Sequence, residues 1–263
     1  MNKVVLTLAR LCGFNRPIPK TRLRRYLRQS ERLLVFLFLI YAGIHLYPQA
    51  LFAHSVTAEG ISLYSRSPLP PQAVTSLAEA AALIRRSELA VAGRREHVFV
   101  CNSIWLFRLF HLPPTRAFAY SVPFTDHVFV AAADFEKGLA TRSGTDLNTR
   151  GLSSLMAHEI THGLIRYRLG LFRGARLADW VSEGYCEYVA QDSTFPVADG
   201  MRRVAAGLDH PSRAYQYFLY RQMVAYLMDE QRLSFAQVVS RAPEYATVQR
   251  ETRLAVQRIS EAP

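Results

Sequence analysis

No single residue type dominates the sequence, and it contains no internal repeat and no low-complexity tract. Half of the residues are apolar and a fifth are charged, so the composition excludes a disordered or a fibrous chain. Cysteine is scarce, with only Cys12, Cys101 and Cys186 in 263 residues. A disulfide between Cys101 and Cys186 is compatible with an oxidising compartment, but their spacing alone does not predict one. A chain of this length holds one or two domains.

Acidic residues are almost absent from the first 32 residues, where Glu31 stands alone. The same stretch has a net charge of +8 because it holds nine basic residues: Lys3, Arg10, Arg16, Lys20, Arg22, Arg24, Arg25, Arg28 and Arg32. The whole chain carries +11, which leaves only +3 for everything after residue 32. This small balance does not support a phosphate-binding face, so no nucleic-acid partner is expected. We interpret residues 1–32 as a basic cytoplasmic tail.

A long apolar run, LLVFLFLIYAGIHLYPQALFA, follows the basic tail at residues 33–53. About 20 apolar residues cross the hydrocarbon core of a bilayer as a helix, so the run is long enough to span it. Because Lys and Arg cluster on the cytoplasmic side of such spans, the sequence predicts a single-pass signal anchor whose C-terminal domain is extracytoplasmic. A cleaved secretory signal and a buried core helix are the alternatives. The cleavage site is poor, however, and the basic region is long for a signal peptide.

Residues 54–73 are predicted to be a linker because Ser, Pro and Gly are frequent there. Residues 74–263 are then the main folded domain, beginning with an amphipathic helix over 74–90. Three short β-like runs and four helices are expected after it, the runs at 97–107, 116–122 and 127–135 and the helices at 151–170, 176–191, 211–231 and 234–242. Strands first and helices afterwards indicate an α+β domain.

The motif that carries chemistry is AHEITHG, residues 157–163. Residues four apart lie on one face of a helix, so the imidazoles of His158 and His162 can reach one metal ion. Glu159 points about 100° away from His158. It should therefore flank the ion without binding it, which suits a general base. A lone histidine is more often a structural residue than a metal ligand. Here the second histidine, Glu159 and the segment E-G-x-x-E further along the chain together favour a metal centre.

The third ligand is expected to be Glu183, in the segment WVSEGYCEYVA on the next predicted helix. Catalytic zinc sites commonly take three protein ligands and keep a fourth position for water, which makes Zn²⁺ the expected cofactor. Gly184 is unfavourable inside a helix, so we expect a close approach of the backbone to a partner helix there. Glu187 lies one turn beyond Glu183 and is predicted to accept the free ring N–H of a ligating histidine.

The two motifs together, H-E-x-x-H and then W-x-x-E-G-x-x-E-Y, resemble those of the gluzincin metallopeptidases, which include thermolysin-like proteases and zinc aminopeptidases. The resemblance covers roughly residues 127–240. It implies a zincin-like fold of a small sheet plus active-site helices, here preceded by one transmembrane helix. It also implies peptide or protein substrates, hydrolysed by metal-activated water with Glu159 as general base. A strand at the edge of the cleft should bind the peptide, with residues 127–133 as the candidate.

In aminopeptidase-like gluzincins, a tyrosine nine residues before a Tyr-Leu pair stabilises the developing oxyanion. Tyr217 precedes Tyr226-Leu227 by that interval and is the candidate oxyanion donor, with Tyr215 and Tyr220 as rivals. The chain has no G-x-M-E-N segment of the kind that binds a free substrate N-terminus. His210 is the only histidine after the motif. The choice between endo- and exopeptidase action is therefore left open.

The sequence thus predicts a membrane-anchored zinc metallopeptidase. Two alternatives remain at this point. One is a non-catalytic zinc-binding assembly or binding protein with a degenerate peptidase fold, although such a protein would not need Glu159. The other is a structural membrane protein in which the two helices are merely packed together. Substrate identity and oligomeric state do not follow from the sequence.

Overall fold

The computed structural model describes residues 22–111, 117–142 and 149–261, and the chain forms two compact units that divide between Leu51 and Phe52. The first unit contains helix α1 (Arg22–Leu46) and a short 3-10 helix (Pro48–Leu51). Within α1, the 21 residues Tyr26–Leu46 are long and apolar enough for a membrane span or a signal sequence. The apolar run predicted over 33–53 is α-helical only as far as Leu46, because proline disfavours helix at the residue before it and Pro48 follows.

The second unit begins with two strands where a linker was predicted. Strands β1 (His54–Ala58) and β2 (Ile61–Ser65) pair antiparallel around a two-residue turn. Both turn residues, Glu59 and Gly60, have positive φ angles of 52° and 82°, the conformation that tight hairpins require. Alternate side chains of β2 are buried, so its two-residue periodicity outweighs the turn-forming composition of the segment.

A mixed five-stranded sheet continues from this hairpin, with strands β3 (Glu96–Val100), β4 (Ala119–Ser121) and β5 (Val128–Val130). Its order is β1-β2-β3-β5-β4, and the three central strands are parallel whereas both outer pairs are antiparallel. Strand β5 therefore lies inside the sheet, and the prediction that residues 127–133 form the cleft edge is wrong for this strand. The sheet ends at β1 on one side and at β4 on the other, so β4 is the edge strand next to β5.

Two helices connect the strands of the first sheet. Helix α2 (Gln72–Arg85) confirms the predicted amphipathic helix and links the parallel strands β2 and β3. Helix α3 (Ile104–Phe110) replaces the second half of the strand predicted over 97–107. Its start is fixed by Ser103, whose side chain accepts from the Leu106 N–H. Periodicity cannot separate a short apolar run in a strand from one in a helix, which is why this element was misassigned.

A small antiparallel sheet follows the first sheet along the chain. It consists of β6 (Ala132–Asp134), β7 (Leu139–Thr141) and β8 (Thr149–Gly151) in that order. Strand β8 leads directly into helix α4 (Leu152–Leu169), which carries the two histidines. The small sheet therefore fixes where the metal-site helix begins.

The rest of the unit is helical. Its elements are α4, α5 (Leu171–Gly174), α6 (Asp179–Ala190), α7 (Val197–Ala205), α8 (Arg213–Ala225) with a π-helical turn (Tyr226–Glu230), α9 (Phe235–Arg241) and α10 (Tyr245–Glu261). Gly170 ends α4 with a φ of 81°, a backbone conformation that favours glycine. At the start of α6, Ala178 holds the N-cap position and Asp179 is the first helical residue. An acidic residue in the first turn stabilises the helix because it interacts with the positive end of the helix dipole.

Helix α4 is buried between α2, α6 and strand β4, while α6 packs against α8. The predicted close approach of the backbone at Gly184 is present, and the partner helix is α8. A Cβ atom on Gly184 would lie only 2.6 Å from the Tyr220 carbonyl oxygen. The fold is therefore α+β as expected, and helices α4, α6 and α8 and the edge strand β4 all contribute residues to the lining of one cavity.

Candidate metal centre

Helix α4 places the two motif histidines side by side. The ring centroids of His158 and His162 are 5.0 Å apart, and the rings meet edge to face. His158 is almost fully buried, whereas His162 is partly exposed and lines a cavity of about 610 Å³. The four-residue spacing thus produces the shared face that the sequence predicted.

Helix α6 brings Glu183 onto the same point. One carboxylate oxygen, Oε2, lies 3.3 Å from Nε2 of His158 and 3.7 Å from Nε2 of His162. Two imidazole nitrogens and a carboxylate oxygen thus converge within a few ångströms beside an open cavity. This is the donor set of a catalytic zinc site, so the residues present fit the expected metal.

Glu187 occupies the place predicted for it behind His158. Its Oε1 lies 3.2 Å from Nδ1 of His158, and its Oε2 accepts a hydrogen bond of 2.9 Å from Nη2 of Arg150. Arg150 lies on β8, and all three side chains are more than nine-tenths buried. The arginine neutralises a carboxylate that would otherwise be costly to bury. Sequence spacing gave no signal for Arg150, because the contact joins two elements 37 residues apart.

The charges of this cluster are strongly coupled. Burial alone would lower the pKa of His158, but the carboxylates of Glu187 and Glu183 outweigh it and raise this pKa to about 9. Burial works in the opposite direction on Glu183, yet the two histidines hold its pKa well below the usual range. In the metal-free protein, His158 therefore carries a proton between two carboxylates at neutral pH.

Cys186 is a potential ligand that the sequence reasoning did not consider as one. Its Sγ and one ring nitrogen each of His158 and His162 lie within 4.8 Å of one another. The thiol is fully buried, and burial together with the nearby carboxylates raises its pKa well above the ordinary value. The cysteine lies three residues after Glu183, a spacing that places both on one side of a helix, which is the signal that could have revealed it. Cys101 and Cys186 are both free and buried, so no disulfide joins them.

Glu159 lines the same cavity as His162 and Glu183, and its side chain is nine-tenths buried. It is not one of the groups that meet at the shared point, in keeping with a position around the helix from His158. A buried carboxylate that faces the cavity without joining the ligand cluster is suited to accept a proton there.

Tyr217 also lines the cavity, from helix α8. Its hydroxyl oxygen accepts hydrogen bonds from Nε and Nη2 of Arg213 at 3.1 Å and 2.7 Å. Burial and the charge of Glu183 raise the pKa of Tyr217. The phenol therefore keeps its proton, and both Arg213 bonds use the lone pairs of the oxygen, which leaves the O–H available as a donor.

The rival tyrosines and the downstream histidine lie elsewhere. Tyr215 donates its hydroxyl to the Leu208 carbonyl at 2.7 Å, and Tyr220 packs edge-on against Tyr245. His210 lies 2.8 Å from the Ser212 hydroxyl, at the start of α8. None of these three side chains is among the residues that line the cavity.

The edge strand β4 forms another wall of the cavity. Arg166 of α4 donates to Ser121 and, at 2.9 Å, to Asp126, so the β4–β5 hairpin is tied to the metal-site helix. On the opposite side of the strand from Ser121, Tyr120 contacts His111 with ring centroids 4.6 Å apart. Burial lowers the pKa of His111, against the effect of the Glu159 charge. Sequence reasoning missed these residues because they meet only through the sheet.

No protein-family model matches the chain, and neither a curated protein nor a solved structure is similar enough to be matched. The function therefore has to be argued from the geometry of the site.

Proposed function

We propose that this protein is a membrane-anchored zinc metallopeptidase of the gluzincin type, with a zincin-like catalytic domain. In this proposal α1 crosses the membrane once with its basic N-terminal side in the cytoplasm. The catalytic domain then lies on the extracytoplasmic side. Labelling of the domain in intact cells by a reagent that cannot cross membranes tests this orientation, and labelling only after lysis would contradict it.

One observation carries the proposal. His158, His162 and Glu183 converge on one point, and Glu159, which is not part of that cluster, faces the same cavity. A site that serves only to hold the fold together is closed and needs no additional buried carboxylate at its opening. The combination favours an enzyme over the non-catalytic zinc-binding module.

Glu183 is proposed as the third ligand in preference to Cys186. A cysteine binds metal as a thiolate, and the raised pKa of the Cys186 thiol opposes that ionisation. Glu183 is already ionised and lines the cavity from which substrate would approach. Cys186 is fully buried and is not among the residues that line the cavity.

The residues around the site have distinct proposed roles. When bound, zinc polarises a substrate carbonyl and lowers the pKa of a water molecule to about 7. Glu159 takes the proton of the attacking water and returns it to the leaving amine. Tyr217 donates its O–H to the oxyanion that develops on the substrate. Glu187 fixes the ring of His158 through Nδ1.

The edge strand β4 is the proposed binding site for the peptide backbone. It pairs with β5 along one edge only and ends the sheet beside the cavity. An extended peptide that adds to the free edge would pair its main chain with β4 and lie alongside Glu159 and Glu183. Substrate selection would then depend on the side chains around the cavity.

Metal analysis and peptide digestion test the proposal directly. The purified full-length protein in detergent is expected to contain about one zinc per chain and to cleave members of a mixed peptide library. A chelator should abolish cleavage, and added zinc should restore it. One zinc per chain without cleavage under any condition would instead support the non-catalytic zinc-binding module. Absence of zinc would support the packed-helix alternative.

Zinc binding is expected to compete with a proton on His158. Because the pKa of this residue is raised to about 9 in the metal-free protein, binding at pH 7 should release about one proton from it. The apparent affinity should rise about tenfold per pH unit through this group and level off above pH 9. The same ion pairs stabilise the metal-free fold below pH 6.5, and this contribution is lost as pH rises through 9.

Calorimetry in two buffers of different ionisation enthalpy measures the released protons. Glu187→Gln is the matched variant, because it removes one of the charges that raise the pKa of His158 while leaving the three proposed ligands in place. Proton release at pH 7 should be smaller in that variant. Equal release by both proteins would contradict the assigned role of Glu187.

A further inference from the structure

We propose that Arg142 forms a subsite for a carboxylate of the substrate, so that the enzyme prefers peptides bearing an acidic group near the cleaved bond. This inference rests on the peptidase function proposed above. Four arginines line the cavity, and three of them are engaged by the protein itself. Arg150 binds Glu187, Arg166 binds Asp126 and Ser121, and Arg213 binds Tyr217.

Arg142 is the exception. Within the described parts of the chain it makes no salt bridge and no side-chain hydrogen bond, although its Nε is buried. Its guanidinium lies over the ring of Phe118, 4.6 Å from the centroid, which holds the group in place without neutralising it. Arg142 is half-buried, and a cation that is partly removed from water without an anionic partner is unfavourable, so a ligand that supplies the anion binds with an advantage.

A carboxylate is the group that this arginine recognises best. The planar guanidinium presents parallel N–H donors that match the two oxygens of a carboxylate, and the bonds are strengthened by the charges. The acids that line the cavity are Glu159 and Glu183, the proposed base and metal ligand, and Asp179 at the start of α6. They are not within ion-pair distance of Arg142. The positive charge of Arg142 is therefore available to bind a carboxylate of the substrate.

The position of Arg142 indicates which part of the peptide it meets. Phe118 immediately precedes β4, so the guanidinium above its ring lies near the N-terminal end of the edge strand. A peptide that adds to β4 in the antiparallel sense has its C-terminal half at that end. The carboxylate would then be either the C-terminal group of the peptide or an Asp or Glu side chain beyond the cleaved bond.

Matched peptides distinguish these two sources. One pair differs only in a free or amidated C-terminus, and a second pair has Asp or Asn on the C-terminal side of the bond. The full-length zinc-loaded protein is expected to favour the carboxylate member of one pair by at least about tenfold in kcat/KM, as one charge-assisted contact provides. In Arg142→Gln this ratio should fall to about one, mainly through KM, and Arg142→Lys should lie between.

The control is Arg202→Gln. Arg202 is an exposed arginine of α7 that pairs with Asp199 outside the cavity. This variant should keep the wild-type ratio. Circular dichroism and thermal melting of the Arg142 variants verify that they fold, and the charge-conserving Arg142→Lys serves if the glutamine variant does not.

Binding measured without turnover separates this inference from the peptidase proposal. Zinc-loaded Glu159→Gln is titrated with the same peptides by calorimetry, with and without Arg142→Gln. Hydrolysis by the wild type with equal kcat/KM for both members of each pair would overturn the carboxylate subsite and leave the peptidase function standing. If nothing is hydrolysed, a carboxylate preference in binding that is lost with Arg142→Gln would uphold the subsite alone. Equal binding within both pairs would reject it.

Discussion

Glu159→Gln is expected to lower kcat by about 10²–10⁴-fold, the usual contribution of a general base, while zinc content stays at the wild-type level. Glutamine has nearly the same size as glutamate but cannot accept the proton of the attacking water. Metal content should not change, because Glu159 faces the cavity beside the ligand cluster and is not one of the three side chains that meet. Steady-state kinetics on one peptide and metal analysis of the same sample check the two expectations together.

Two matched variants make this result interpretable. Glu183→Gln should lose zinc as well as activity, because it removes a proposed ligand. Glu136→Gln changes an exposed glutamate in the turn between β6 and β7 and should change neither quantity. Full turnover by Glu159→Gln would refute the proposed mechanism, and loss of zinc from that variant would show that Glu159 is a ligand.

Tyr217→Phe should lower kcat by about 10²–10³-fold with little change in KM, as expected for a donor that binds the oxyanion more strongly than the ground-state carbonyl. The substitution keeps the ring and removes only the hydroxyl. Zinc content should again be unchanged.

Tyr220→Phe is the control for this prediction, because Tyr220 lies on the same helix but does not line the cavity. Its kinetics should match those of the wild type. Arg213→Lys adds a second comparison, since it keeps a positive charge but loses the pair of donors that hold the Tyr217 oxygen. A rate for Tyr217→Phe within about twofold of wild type would remove Tyr217 from the mechanism, since a true oxyanion donor costs far more.

The part of the site that lies along one helix could be predicted from the sequence. The shared face of His158 and His162 follows from helical spacing alone. The placement of Glu183 and Glu187 required a second helix folding back on the first, and for that the motif W-x-x-E-G-x-x-E-Y was the guide. Cys186 lies on the same helix face as Glu183, but it occupies an unspecified position of this motif, so the motif does not indicate it as a ligand.

Features that depend on the sheets could not be predicted from the sequence. The segment 54–73 was expected to be a linker because composition favours turns there, whereas the pairing of β1 with β2 depends on a partner strand that local pattern does not reveal. The edge position of β4 is set by the order of strands in the sheet. Arg142 directly follows β7, and Arg150 lies within β8. Both side chains reach the cavity only through the packing of the small sheet.

The contact at Gly184 has a consequence for how well the site is preorganised. Glu183 is the residue just before this glycine, and Tyr217 lies one turn before Tyr220 on the opposing helix. Where the two helices meet, the gap between them is fixed by main-chain atoms and leaves no room even for a methyl group. Glu183 and Tyr217 are thus carried by two helices whose separation is held constant. Little rearrangement of the backbone should be required when a transition state forms between them.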